Sequence, residues 1–184
     1  YIAVFLKVVI LKIYNYENGD LPGYEIKCIF RDSQNRMWIG MLGGGFSVCS
    51  PGEDYRNLKF VHYSTTDGLV NNMVESIIED KTGKIWIATQ YGLSRFSPDT
   101  ETFENFFFSA SMQGNVYNEH GAAITEDGLL LFGTNHGVIV IDPLKVTSSP
   151  MTRNVILTNL KVNGITVQVG EKESPLTQAL SYTQ

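Results

Sequence analysis

The side chains with chemical potential are few and scattered. His62, His120 and His136 stand far apart, and no pair shows the H-x-x-x-H spacing that seats a metal ion on one helix face. Glu119 beside His120 offers a local acid/base pair, but one dipeptide supplies neither a nucleophile nor an orienting group. In Asp80-x-Thr82-x-Lys84 a lysine occupies the place where an EF-hand-like calcium loop needs an oxygen ligand. Gly43-Gly44-Gly45-Phe46-Ser47 lacks the Lys-Ser/Thr of a phosphate loop, and no helix follows it. Glu25, Asp67, Glu119 and His136 are too dispersed in sequence to decide whether they form a cluster. The expectation is a segment with no catalytic residue, no metal and no cofactor.

Composition narrows the class. The 184 residues carry a net charge of −5, with 18% charged and 43% hydrophobic residues. An acidic chain is a poor nucleic-acid binder, and one this apolar is not disordered. Seventeen glycines, ten phenylalanines and nine tyrosines favour strands and turns over helices. The apolar run at 1–14 is shorter than the roughly 20 residues of a membrane span and is interrupted by Lys7 and Lys12, so it reads as a buried strand or a remnant. The chain has no initiator Met and no closing element, and is expected to be a piece of a longer protein.

The elements that must position any site come from an internal repeat. Residues 26–48 read IKCIFRDSQNRMWIGMLGGGFSV and residues 74–96 read VESIIEDKTGKIWIATQYGLSRF. Asp32 maps to Asp80, Trp38 to Trp86, Cys28 to Ser76 and Cys49 to Ser97, each 48 residues on. A third copy at 121–141, GAAITEDGLLLFGTNHGVIVI, maps Gly83, Thr89 and Gly92 onto Gly128, Thr134 and Gly137, each 45 residues on, with Leu131 in place of the tryptophan.

Each unit resolves into four short strands. In the second copy, alternation sets Val74, Ser76 and Ile78 on one face of a first strand ending at Glu79-Asp80. Asp80 to Gly83 forms a hairpin turn, because Asp caps the backbone and Gly takes positive φ. Strands follow at 85–89, 93–96 and 102–108, the last absorbing Phe103, Phe106, Phe107 and Phe108. Four antiparallel strands in about 40–50 residues is the signature of a β-propeller blade, whose two faces are buried only by stacking on neighbours. Trp38 and Trp86 are expected to fill the gaps between blades. Cys28 and Cys49 then lie two strands apart, about 10 Å at the usual strand spacing. That exceeds disulfide reach, so two buried thiols are expected.

The segment DGLVNNMVESIIEDKTGKIWIATQYGLSRFSP, residues 67–98, closely resembles the two-component regulator propeller repeat. The first copy departs from that pattern, its IGMLGGGF turn being one residue longer, and Asn118 to Gly137 is similar to the closing repeat of such propellers. SSPMTRNVILTNLKVNGITVQVGEKESPLTQ is similar to the opening of the triple-tyrosine domain, a small immunoglobulin-like sandwich. The resemblance spans roughly residues 14–180 and is strongest over 60–165. It implies an all-β chain: a partial β-propeller over 1–149, with blades near 14–63, 64–108 and 109–149, and the first strands of a sandwich over 150–184. It further implies the extracytoplasmic sensor of a bacterial hybrid two-component regulator, on the periplasmic face of the inner membrane. Such sensors commonly detect oligosaccharides. The parent is expected to be a homodimer that meets the membrane only through a downstream span and carries any kinase elsewhere. Nucleic acid is not a partner of this segment.

Loop parity locates the site. In an antiparallel blade successive turns alternate between ends, so the connector into the inner strand shares one face with the turn between the second and third strands. That face gathers Tyr24, Asn71, Asn72, Gln90, Tyr91, Asn115, Tyr117, Asn118, Asn135 and His136. Amides suit sugar hydroxyls and aromatic rings suit the apolar side of a pyranose. The plain alternative is that Asn and Gly are turn formers. The ligand-binding candidates are Tyr24, Asn71, Asn72, Gln90, Tyr91, Asn118, Asn135 and His136. Asp32, Trp38, Asp80, Gly83, Trp86, Gly92, Gly128 and Gly137 are structural anchors. A protein-interaction scaffold, or a propeller-based glycan lyase or hydrolase, are the other readings.

Overall fold

The computed structural model describes residues 12–50, 52, 56–107, 116–146, 160–162 and 165–167. The aspartate turns organise it. Asp80 Oδ1 accepts the backbone N–H groups of Thr82 and Lys84 at 2.8 and 3.2 Å, and Gly83 closes the turn with φ of +80°. Asp32 does the same for Gln34 and Arg36 at 3.0 and 2.8 Å, with Asn35 taking the left-handed position at +70°. In the third copy Thr125 replaces the aspartate, and its hydroxyl accepts the Leu129 N–H at 2.9 Å.

These turns join antiparallel strands into three sheets. Blade 1 is β1 (Glu25–Arg31), β2 (Met37–Leu42), β3 (Phe46–Cys49) and β4 (Val61–Tyr63), in that spatial order. Blade 2 is β5 (Val74–Glu79), β6 (Ile85–Thr89), β7 (Gly92–Ser97) and β8 (Thr102–Phe106), again in order. Blade 3 shows β9 (Tyr117–Ile124), β10 (Leu130–Thr134) and β11 (Gly137–Ile141) among the described residues; the expectation of a fourth strand there lies outside them. The strands lie in sequence order across each sheet, as the repeat requires. Residues 1–148 form one compact unit and 149–184 another. Of the second unit only a hairpin is described, β12 (Leu160–Val162) pairing antiparallel with β13 (Ile165–Val167), so most of the expected sandwich lies outside the described residues.

Two expectations need correction. Val74 does not share a face with Ser76 and Ile78. A bulge between Val74 and Ser76 resets the alternation, so Val74 packs with Ile77 toward blade 1 and Ile78 packs with Trp86 toward blade 3. Nor does Cys49 correspond to Ser97. Met37 pairs with Cys49 and Ile85 with Phe96, so the extra residue in the first β2–β3 turn shifts the correspondence by one and matches Cys49 to Phe96.

The blades bury each other. Trp38, 1% exposed, packs on Phe46 and Phe96, while Trp86, 0% exposed, joins Leu130 and Phe132 of the next sheet. Each buried side chain of this size stabilises by about 1.5–3 kcal/mol. The seam between blades 1 and 2 is graded. Near the inner strands it holds Cys28, Gly40 and Val74, and a Cβ at Gly40 would lie 2.5 Å from Cys28 Sγ. Toward the outer strands it holds Phe46, Tyr63, Phe96 and Phe103, with ring centroids 4.7–6.2 Å apart. Cys28 and Cys49 are free, buried thiols with β2 between their strands. No helix among the described residues is long and apolar enough to cross a membrane.

Candidate functional site

The two ends of the blades differ. At one end the turns are stitched together: Ser33 donates from its N–H and its hydroxyl to the Glu79 carboxylate at 2.7 and 2.8 Å, and Lys81 donates to the Glu126 carbonyl. The other end gathers the connectors and β2–β3-type turns, as parity requires. Gly45 N–H donates to the Asn72 carbonyl at 2.9 Å, Gln90 N–H to the Met73 carbonyl at 3.0 Å, and Gly44 lies against Pro22 and Gly23.

On this second face the candidates sort by what already occupies their polar atoms. Asn71 Oδ1 accepts the Met73 N–H at 2.8 Å, and Asn72 Oδ1 accepts the Thr65 N–H at 2.8 Å. Both therefore act as turn formers. Tyr91 and His136 are equivalent turn residues whose N–H groups donate to Thr89 and Thr134 hydroxyls, leaving both side chains exposed beside Gln90 and Asn135. Tyr24, 78% exposed, lies against the Tyr16 ring at 3.8 Å between centroids, and the Tyr16 hydrogen bond holds its phenol above the usual value. No ring contact or hydrogen bond joins Tyr24, Tyr91 and His136 among the described residues. Tyr117 is not on the surface; it is 2% exposed in the core between blades 2 and 3. Asn115 lies outside the described residues.

The structure instead draws together residues the sequence left dispersed. The inner strands β1, β5 and β9 converge, and their starting ends open on this same face. Lys27 sits in the bulge of β1 and Glu75 in the equivalent bulge of β5, 48 residues on. Asn118, Glu119 and His120 fill the irregular start of β9, where His120 adopts φ of +52°, a conformation that side chains rarely take. Lys27 Nζ donates to Glu25 at 2.8 Å and to Glu119 at 2.5 Å, tying blade 1 to blade 3. These two hydrogen bonds, Glu119 first, hold the ammonium well above its ordinary value.

Beside this bridge a cleft of about 170 Å³ is lined by Cys28, Ile29, Phe30, Ser76, Ile77, His120 and Ala122. Ser76 Oγ is buried there without a hydrogen-bond partner among the described residues. Burial, with a contribution from the Glu75 charge, pushes the Cys28 thiol up to about 12, so it is no nucleophile at neutral pH. A larger groove of about 320 Å³ lies between the outer strands of blades 1 and 2, but its Arg36 and Glu101 are engaged by Asp32 and Tyr63. No cluster of three metal-ligating side chains occurs among the described residues. The signal missed in the sequence was positional: Lys27 and Glu75 are charged residues at the same place in two apolar inner strands.

Comparison with known proteins agrees with this architecture. A histidine kinase, P4, of Formosa agariphila is 24% identical over 95% of this chain, which spans 12% of that protein. The extracellular domain assigned to a hybrid two-component system of B. thetaiotaomicron superposes with a TM-score of 0.64 at 23% identity, covering 86% of this chain and 22% of that one. A second B. thetaiotaomicron extracellular domain, assigned to a one-component system, gives 0.57 at 24% identity, covering 69% of this chain and 18% of that one. The chain thus spans a fifth or less of the curated relative and about a fifth of the solved domains. Residues 20–43 and 68–91 match the family described as the two component regulator propeller, one match falling in each of the first two blades.

Proposed function

We propose that this chain is a ligand-sensing segment of the extracytoplasmic part of a hybrid two-component regulator, and that its ligand is an oligosaccharide. The observation that carries this reading is the convergence of three inner strands on one face. Between those strands lies a cleft with a buried hydroxyl that has no partner among the described residues, and the face carries exposed Tyr24, Tyr91, Asn135 and His136 with half-buried Gln90. The surface offers hydrogen-bond donors and acceptors with aromatic faces, which suits binding of a hydroxyl-rich ligand. The parent acts as a homodimer at the periplasmic face of the inner membrane, and bound ligand biases the arrangement of the propeller relative to the unit that follows.

The test is a thermal-shift screen of the parent's extracytoplasmic region against neutral and acidic oligosaccharides. A specific ligand raises the melting point by mass action, by about 2.7 kcal/mol of stability at a hundredfold excess over Kd. Replacing Gln90, Tyr91 and Asn135 together by Ala abolishes the shift while the unliganded melt stays cooperative. A retained shift in that variant removes these residues from the site. No shift with any saccharide turns the reading toward an interaction scaffold.

A further inference from the structure

The strand starts carry an unbalanced charge. Glu25, Glu75 and Glu119 stand at the starts of the three inner strands with the cation Lys27, and that ammonium holds Glu25 and Glu119. Its side chain is only 11% exposed, so it is committed to the bridge and is not a free anion receptor. Two buried groups beside it are unspent. Glu75 is 4% exposed and makes no hydrogen bond or ion pair among the described residues. Its neighbour Ser76 is 2% exposed, lines the cleft, and has an Oγ with no partner. Glu75 lies close enough for its charge to act on Cys28, which lines the same cleft.

Buried polar groups in native proteins are nearly always satisfied, and an unpaired carboxylate is the costliest exception. Ser76 Oγ is an exception in the cleft wall, an acceptor waiting for a donor, and the Glu75 carboxylate follows directly before it in the chain. A sugar hydroxyl supplies a donor without bringing charge. A uronate or sulfate brings a second anion toward three carboxylates and must compete with two of them for Lys27. Glu25 and Glu119 are more than half exposed, so this repulsion acts through solvent and weakens as salt is added.

We propose that this cleft binds an uncharged, hydroxyl-rich saccharide end through Ser76, and that the carboxylates gathered around it, Glu25, Glu75 and Glu119, reject uronates and sulfated sugars. The inference rests on the saccharide-sensing reading and specifies the ligand class of that same site.

The experiment is isothermal titration of the parent's extracytoplasmic region with matched tetrasaccharide pairs that differ only at C6. Suitable pairs are mannotetraose against its mannuronate counterpart, galactotetraose against its galacturonate counterpart and cellotetraose against its glucuronate counterpart. At low salt a neutral member binds and its uronate partner binds at least about tenfold more weakly. Raising the salt toward about 0.5 M narrows that gap, because the discrimination is electrostatic. E75Q combined with E119Q narrows it as well, and the salt series on the unaltered protein decides the matter if that variant does not fold. A uronate that binds as tightly as its neutral partner, or a gap indifferent to salt, overturns the charge inference and leaves saccharide sensing standing. Binding of no saccharide in any pair overturns the sensing reading, and the inference with it.

Discussion

The indole N–H of Trp86 donates to Asp80 Oδ2 at 2.7 Å, so the carboxylate that caps a hairpin turn also satisfies the largest side chain in the next seam. Asp32 and Trp38 repeat the arrangement at 2.8 Å. In the third copy both members change together, to Thr125 and Leu131. The pair is one device: a buried indole needs an acceptor, and a buried carboxylate needs donors.

Replacing Asp80 by Thr is expected to destabilise the chain by about 2–3 kcal/mol, since it strands the Trp86 N–H in the core. Trp86→Leu alone costs about 3 kcal/mol or more from lost packing. The double variant, which reproduces the third copy, costs less than the sum by at least about 1 kcal/mol. Urea titrations of the four proteins measure the coupling, and strict additivity would contradict it.

Gly40 is required by a close approach. An added Cβ would meet Cys28 Sγ at 2.5 Å and Val74 Cγ1 at 2.6 Å, so Gly40→Ala is expected to cost about 1–3 kcal/mol. The second blade places Ser76 opposite Ala88 at the same positions. Cys28→Ser added to Gly40→Ala therefore recovers part of the loss, and thermal melts of the single and double variants check it.

Asp32 makes stability depend on acidity. Burial alone would raise its carboxyl, but hydrogen bonds from Trp38 and Arg36 outweigh that and hold it below the usual value. Its contribution is therefore full above the unfolded value of about 3.9 and is lost as pH falls through the lower folded value. Chemical denaturation between about pH 7 and about pH 2.5 should show that loss, and Asp32→Asn should be less stable at neutral pH with a flatter acid limb. Identical acid limbs in the two proteins would be inconsistent with this role.

Tyr117 presents the opposite case. Its hydroxyl is buried with no partner among the described residues, and burial pushes the phenol well above its ordinary value. Tyr117→Phe removes an unsatisfied group and keeps the edge-on contact with Phe132, so stability should rise by up to about 1 kcal/mol. A lower melting point in the phenylalanine variant would show that the hydroxyl has a use.

The strands, their order and the tryptophan seams were legible because turn chemistry and hydrophobic pattern repeat three times. The errors came from single residues that break phase: the bulge at Val74–Ser76 and the extra glycine before Phe46 move side chains between faces without changing the pattern around them. The site was less legible for a related reason. Asn71 and Asn72 look like ligand groups until their oxygens are found on backbone N–H groups, while Lys27, Glu75 and Glu119 are linked only by the convergence of strands far apart in the chain.

The graded seam between blades 1 and 2 has a geometric meaning. Small residues at its inner end and stacked rings at its outer end form a wedge, so the two sheets splay apart with distance from the inner strands. Side-chain volume is thereby converted into an angle. Shrinking Phe46, Phe96 or Phe103 would let neighbouring sheets swing closer at the rim, flattening the fan and pulling the mouth-lining strands β1 and β5 out of their mutual aim.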